Sequence, residues 1–204
     1  MALGFLNIPF ESRVLSYDDE STPTNLCGEK MLPILVLEKD KSINESIEII
    51  KKIDLGNSLF GDVKEKDIQQ HEQICNDIGK KLHPLAMTSW LNTPEFFNNS
   101  KEYFRKKKEI KKGPFSLLIK DEPRLKEKLG NFIKDFKFPR NFILGDHISV
   151  LDIMAASHFY GVYSLIDFYL EKKAHDYLQR VRNKCNFNYH EDYDVNRLFE
   201  HWNK

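Results

Sequence analysis

A proline inside the apolar run Met31-Leu32-Pro33-Ile34-Leu35-Val36-Leu37 most constrains how this chain can fold. Proline has no amide to give to a sheet ladder, so Pro33 belongs at the first residue of a strand or in a tight turn, with a fixed bend or a cis bond beside Leu32. The polar residues from Glu38 to Lys41 then reverse the chain. This predicts a hairpin with strands at 34–37 and 41–43 and a helix over 45–53 that turns Ile49, Ile50 and Ile53 inward. Asn44, Glu45 and Ser46 stand at the start of that helix, where unpaired amides and the positive end of the dipole favour a bound carboxylate. Bend and helix start together make a peptide-sized anion site. Taken alone, a Glu-Ser pair at a helix start also serves as a plain cap, and a proline as a strand-edge residue.

Ahead of this stretch, Leu3 and Leu6 share one helical face that Asn7-Ile8-Pro9 closes, with no cap before Met1. Residues 10–16 alternate Phe10, Ser12 and Val14 against Glu11, Arg13 and Leu15, which predicts a short strand, and residues 21–26 with Pro23 predict a brief helical turn. Leu55-Gly56-Asn57-Ser58-Leu59-Phe60-Gly61-Asp62 shifts toward glycine and small polar residues, so a linker is expected over 55–63 between domains at 1–54 and 64–204. Beyond it the pattern is helical. Ile68, His71, Cys75, Ile78, Leu82 and Leu85 recur every three or four residues as one buried stripe. Thr93-Pro94-Glu95 supplies a cap and a first-turn proline, and charged helices are expected over 100–112 and 122–136. In Gly145-Asp146-His147-Ile148-Ser149-Val150-Leu151-Asp152, Ser149 and Asp152 form a capping box, with Ile148 and Ile153 placed as a hydrophobic staple. The helix they open is apolar on every side and is therefore central. Closing helices are expected over 168–184 and 194–202.

Composition excludes several roles. With 204 residues, 41% hydrophobic and 12% aromatic, the chain can bury a substantial core. Its 31 basic and 31 acidic residues cancel, so no global charge points to nucleic acid or an anionic membrane. Six basic residues among the eight from Arg105 to Lys112 read as a solvated helix face, interrupted by Glu109 and lacking an interleaved aromatic platform. No apolar run reaches the membrane-spanning length of about 18 residues, and Met1-Ala2-Leu3-Gly4-Phe5-Leu6 lacks the basic start of a signal peptide, so a cytoplasmic location is expected. Cys27, Cys75 and Cys185 are too far apart for a Cys-x-x-Cys motif or a zinc knuckle. The histidines never adopt His-x-x-x-His spacing, and no metal site is expected.

A small α/β unit, a linker, an all-helical second domain and a Gly-Asp-x-x-Ser-x-x-Asp box resemble the glutathione transferase superfamily. Within it, Gly4-Phe5-Leu6-Asn7-Ile8-Pro9, Asp18-Asp19-Glu20-Ser21-Thr22-Pro23-Thr24, Met31-Leu32-Pro33-Ile34-Leu35 and Asn44-Glu45-Ser46-Ile47-Glu48-Ile49-Ile50 are similar to the glutaredoxin 2 family. The similarity extends through Glu102-Tyr103-Phe104-Arg105-Lys106-Lys107-Lys108. The resemblance implies an α+β thioredoxin-like N-terminal unit plus an all-α C-terminal domain, and glutathione-dependent reduction of disulfides. Glutathione is the implied cosubstrate, and disulfide-containing or glutathionylated proteins are the implied partners. Leu32 beside Pro33 would hold the cysteinyl part by backbone pairing, while Glu45 and Ser46 would hold the γ-glutamyl end. The family's first strand and its Cys-Pro-x-Cys motif precede the segment matched by Met1, so an incomplete first unit with no catalytic residue is expected. An internal start site and a degenerate paralogue are both open. Cys27, in the loop before the bend, Cys75 in the helical stripe and Cys185 in a polar tail are read as non-catalytic. The alternatives are a non-catalytic glutathione-binding or partner-docking protein, and a transferase using tyrosine or serine.

Overall fold

The computed structural model describes residues 1–38, 41–91, 96, 98–165 and 167–188. The chain runs α1 (Ala2–Phe5), α2 (Ser21–Cys27), β1 (Leu35–Glu38), β2 (Lys41–Ile43) and α3 (Ser46–Ile53). It continues as α4 (Glu65–Trp90), α5 (Asn98–Lys112), α6 (Phe115–Lys120), α7 (Glu122–Asp135) and α8 (Val150–Phe159). A 3-10 turn (Tyr160–Ser164) and α9 (Lys172–Lys184) follow. The expected opening at Thr93-Pro94-Glu95 and the helix over 194–202 lie outside the described residues.

The hairpin forms where the sequence places it. Strands β1 and β2 pair antiparallel, with Leu35 opposite Ile43 and Val36 opposite Ser42. Gly28, at φ +82°, ends α2 in the left-handed conformation, and its amide donates to the Thr24 carbonyl at 2.8 Å. Helix α3 buries Ile49 and Ile50 and leaves Ile53 partly covered. Residues 10–16 are a correction, because they form no strand. Their alternation is present, yet Phe10 stays 60% and Val14 55% exposed. Among the described residues β1 and β2 form the one sheet, and a strand without a neighbour has no ladder to stabilise it.

The residues between α3 and α4 form turns, but they are anchored. The Asp54 carboxylate accepts from the amides of Ser58 (2.8 Å) and Leu59 (2.7 Å). Leu59 is only 1% exposed, and its carbonyl accepts the Val150 amide at 2.9 Å. Glycine and polar residues thus surround one core side chain, which composition alone does not reveal.

Helix α4 packs against α6, α7, α8 and the 3-10 turn, and α8 packs against α9. Ile68, Cys75, Ile78, Leu82 and Leu85 are buried as the stripe requires, and His71 is half-buried. Helix α8 is central as predicted, with Val150, Leu151, Ile153, Met154, Ala155 and Ala156 all buried. Its start is built on Asp152, which is 0% exposed. One carboxylate oxygen accepts the Ser149 amide (3.0 Å) and hydroxyl (2.9 Å). The other accepts the Ile143 amide (2.9 Å) and the Tyr177 hydroxyl (3.0 Å), tying α8 to the preceding loop and to α9. Cys185 is also a correction: it is fully buried at the end of α9, and a side chain on Gly4 would stand 2.0 Å from its carbonyl oxygen. The tail that reads as polar is therefore the surface on which α1 rests. No helix among the described residues is long and apolar enough to cross a membrane.

Asp152→Ala leaves four donors without their acceptor, and at about 1 to 3 kcal/mol for each buried unsatisfied group the loss should exceed about 3 kcal/mol. Tyr177→Phe removes one neutral donor and should cost about 1 kcal/mol. Urea unfolding followed by circular dichroism measures both, and equal effects would contradict this role for Asp152.

Candidate functional site

The Leu32–Pro33 bond is cis and lies just ahead of β1. Two cross-links hold this bend close to the start of α3. The Ser42 hydroxyl donates to the Leu26 carbonyl at 2.6 Å, and the Asn44 amide nitrogen donates to the Glu29 carboxylate at 3.1 Å. Glu45, immediately before α3, has φ +67° and ψ 112°, a conformation costly for a residue with a Cβ. Its carboxylate makes no capping hydrogen bond. Glu45 and Ser46 are both exposed. The plain-cap reading of the Glu-Ser pair therefore finds no side-chain capping bond from Glu45.

Of the four predicted site residues, Leu32 also lines a cleft of about 630 Å³, whereas Pro33, Glu45 and Ser46 lie outside its lining. Its lining includes Leu15, Tyr17 and Lys30 together with Phe104, Lys107 and Lys108 of α5. His83 and Trp90 of α4 and His158 of α8 line its remaining surface.

The segment around Tyr17 is fastened to α5. Ser100, wholly buried, donates its hydroxyl to Asp18 at 2.5 Å, and Ser16 also donates to that carboxylate. These two hydroxyls hold the Asp18 carboxyl below its ordinary value. The Tyr17 ring meets Phe104 edge-on at 4.8 Å and stacks on Phe96 at 5.3 Å. Lys30 donates to the Tyr17 carbonyl at 2.6 Å, with its ammonium 5.1 Å from the Tyr17 ring and 4.7 Å from the Tyr103 ring. The Tyr103 hydroxyl donates to Glu20, which also pairs with Lys30 at 3.5 Å and Lys107 at 3.7 Å.

Sequence reasoning missed this cleft. The basic run was expected to be a solvated face, and Arg105, Lys106, Lys111 and Lys112 are exposed as expected. Lys107, exposed like them, and half-buried Lys108 also line the cleft, each ammonium lying over a ring one turn back: Tyr103 at 5.3 Å and Phe104 at 5.5 Å. The available signal was the spacing of Phe104, Lys107 and Lys108, which places all three on one helical face.

The cysteines stand apart from the cleft. Cys27 ends α2 and is partly exposed, whereas Cys75 and Cys185 are buried. Burial pushes the Cys75 thiol up to about 12 and the Cys185 thiol up to about 11. Among the described residues, no group of histidine, cysteine and carboxylate side chains could hold a metal ion.

No family model matches the sequence. Glutaredoxin 2 from Escherichia coli K12 is 31% identical over 125 residues, covering 58% of this chain and 56% of that protein. Glutaredoxin 2 from Escherichia coli O157:H7 gives the same values. The chain thus aligns with about half the length of these relatives. Among solved structures, glutaredoxin 2 from Salmonella typhimurium in complex with glutathione superposes with a TM-score of 0.79 at 25% identity, over 98% of this chain and 90% of that one. In sequence and in fold the chain is similar to glutaredoxin 2. A glutathione transferase from Phanerochaete chrysosporium, at TM-score 0.60 and 17% identity over 94% of this chain and 88% of that one, shares the fold. Glutaredoxin 2 architecture of this transferase-like kind explains the small α+β unit set on a helical body. No Cys-Pro-x-Cys run occurs in the 204 residues.

At pH 8, a disulfide reagent should label Cys27 in the folded protein and reach Cys75 and Cys185 only after denaturation, because burial disfavours their thiolates. Thiol titration with and without guanidinium measures this. Rapid labelling of two or more thiols in the native protein would contradict it.

Proposed function

We propose that this protein binds glutathione at the bend before β1 and the start of α3, and that these 204 residues do not carry out the dithiol chemistry of a glutaredoxin. The observation that carries the reading is Glu45, held in an unfavourable backbone conformation with an exposed carboxylate that caps nothing. Strain of this kind costs about 1 to 3 kcal/mol and persists where the conformation serves a site. The Salmonella relative, which was solved with glutathione, supports the choice of ligand.

The chemistry is complementary. The γ-glutamyl end of glutathione carries an α-carboxylate and an α-ammonium. The first amides of α3 and the Ser46 hydroxyl suit the carboxylate, and the Glu45 carboxylate suits the ammonium. The backbone of Leu32 can pair with the peptide and fix its direction, as an added strand does. Binding leaves the glutathione thiol near the cleft that Leu32 lines.

Turnover needs more. Disulfide exchange requires a thiolate of lowered pKa that attacks one sulfur of a mixed disulfide while the other leaves as glutathione thiolate. Buried Cys75 and Cys185 are poor candidates because their thiols are shifted the wrong way. Cys27 lies outside the cleft lining. A cytoplasmic, reduced setting and glutathionylated proteins as partners accord with the family and form part of this reading.

Calorimetric titration with reduced glutathione should show binding that Ser46→Ala weakens about tenfold, the equivalent of roughly 1.4 kcal/mol. Glu45→Gly should weaken binding similarly while raising stability by about 1 kcal/mol, since glycine relieves the backbone conformation. No glutathione-dependent reduction of a mixed disulfide is expected. Unaltered affinity in both variants would overturn the site, and Cys27-dependent turnover would overturn the inactivity.

A further inference from the structure

We propose that the corner between α5 and α6 is a docking surface for an anionic lipid bilayer, on which the protein rests without crossing it. This goes beyond the glutathione reading and does not rest on it.

The first observation is charge. Acids and bases cancel over the whole chain, yet residues 105–120 hold seven basic side chains against one acid, Glu109. Glu109 is engaged within the corner, where its carboxylate accepts the Phe115 amide at 2.8 Å. Lys106 pairs with Glu102 at 3.0 Å and Lys107 with Glu20 at 3.7 Å. Arg105, Lys111, Lys112 and Lys120 are exposed, and among the described residues no carboxylate lies within ion-pair distance of any of them. The local field is therefore positive on a molecule with no net charge, and it suits a polyanionic partner.

The second is the apolar side chains set among these cations. Ile110 is 85% exposed, and Leu117 and Ile119 are exposed as well. On α5, Ile110 follows Lys106 and Lys107 by one turn and shares their face. On α6, Phe115 is buried and Leu118 partly covered, which leaves Leu117 and Ile119 on the flanks that meet solvent. Lysines in the last turns of α5 and α6 suit the helix dipoles, but that role gives no use to the isoleucines and the leucine between them. A nucleic acid would answer the charge and leave these three side chains in water. The headgroup region of an anionic bilayer answers both, with phosphates for the ammonium groups and acyl chains for the apolar ones.

The third is that the corner is built rigidly. Gly113, at φ +81°, closes α5 with its amide donating to the Glu109 carbonyl at 2.9 Å, and Pro114 stands immediately before α6. Beneath them the Phe115 ring meets Phe104 edge-on at 6.1 Å. A surface fixed from below loses little conformational freedom when it docks.

The test is co-sedimentation of the full chain with vesicles of phosphatidylcholine alone and of phosphatidylcholine mixed equally with phosphatidylglycerol. The mixed vesicles should bind at least tenfold more tightly, and added salt should weaken that binding. The paired substitution Lys111→Gln with Lys112→Gln should weaken it about twentyfold, since each cation near an anionic surface contributes a factor of about five. Ile110→Ser, which removes no charge, should weaken it at least threefold. All three positions are exposed, and unchanged thermal midpoints separate lost docking from lost fold. Equal binding to both vesicles, no binding to the mixed vesicles at low salt, or unaltered binding by Ile110→Ser would each overturn the proposal. So would equally tight binding of a short DNA duplex that Ile110→Ser leaves intact, because the surface would then be a cation patch alone.

Discussion

The helical body depends on a single buried carboxylate. Asp152 closes the capping box with Ser149 and, from its second oxygen, holds the Ile143 amide and the Tyr177 hydroxyl. A buried charge is costly unless its hydrogen-bonding capacity is used, and four donors use it here. The result is directional. Hydrophobic burial would let α8 slide or rotate among equally apolar neighbours, since this helix has no polar face to orient it. Four bonds to one side chain fix its start, and the Val150 amide bonded to Leu59 ties that start to the turns after α3. The placement of the small α+β unit therefore begins at the same point as the placement of the central helix.

How much of this is legible in the sequence depends on the reach of each interaction. The bend at Pro33, the hairpin and the start of α3 follow from neighbours in the chain, where proline, an apolar run and a polar turn leave few choices. The Ser149–Asp152 box is equally local, and it forms as read. Its extension is not local, because Ile143 and Tyr177 lie 9 and 25 residues from Asp152. Residues 10–16 show the opposite case: the alternation is there, but a strand needs a partner that the pattern within the segment does not supply. Leu59 fails for a related reason, since glycine, asparagine and serine on either side describe the backbone of a turn and say nothing of which side chain it buries.

The cleft was invisible for a different reason. Its residues come from the Tyr17 segment, the bend, α4, α5 and α8, and each has an ordinary explanation where it stands. Lys107 and Lys108 belong to a basic run that a solvated helix would carry, and His83 and Trp90 sit on a long helix with a strong apolar stripe. Only their convergence carries meaning, and convergence belongs to tertiary structure. The predicted site shows the converse. Glu45 and Ser46 were legible because helix starts announce themselves, but the left-handed backbone at Glu45 required coordinates, since a residue with a Cβ gives no hint of such a conformation.

Electrostatics couples the two halves of the molecule at the cleft. Asp18 accepts hydroxyls from Ser16, on its own segment, and from Ser100, a fully buried residue of α5. Hydrogen bonds that favour the ionised form lower the pKa, so this carboxylate keeps its charge and its grip on α5 through the neutral range. Tyr17, next in sequence, is thereby pressed against Phe104, and Lys30 is drawn to the Tyr17 carbonyl three residues before the cis bond at Pro33. The wall of the cleft and the bend that presents Leu32 are consequently set by one chain of contacts running from α5 through Asp18 and Tyr17 to Lys30.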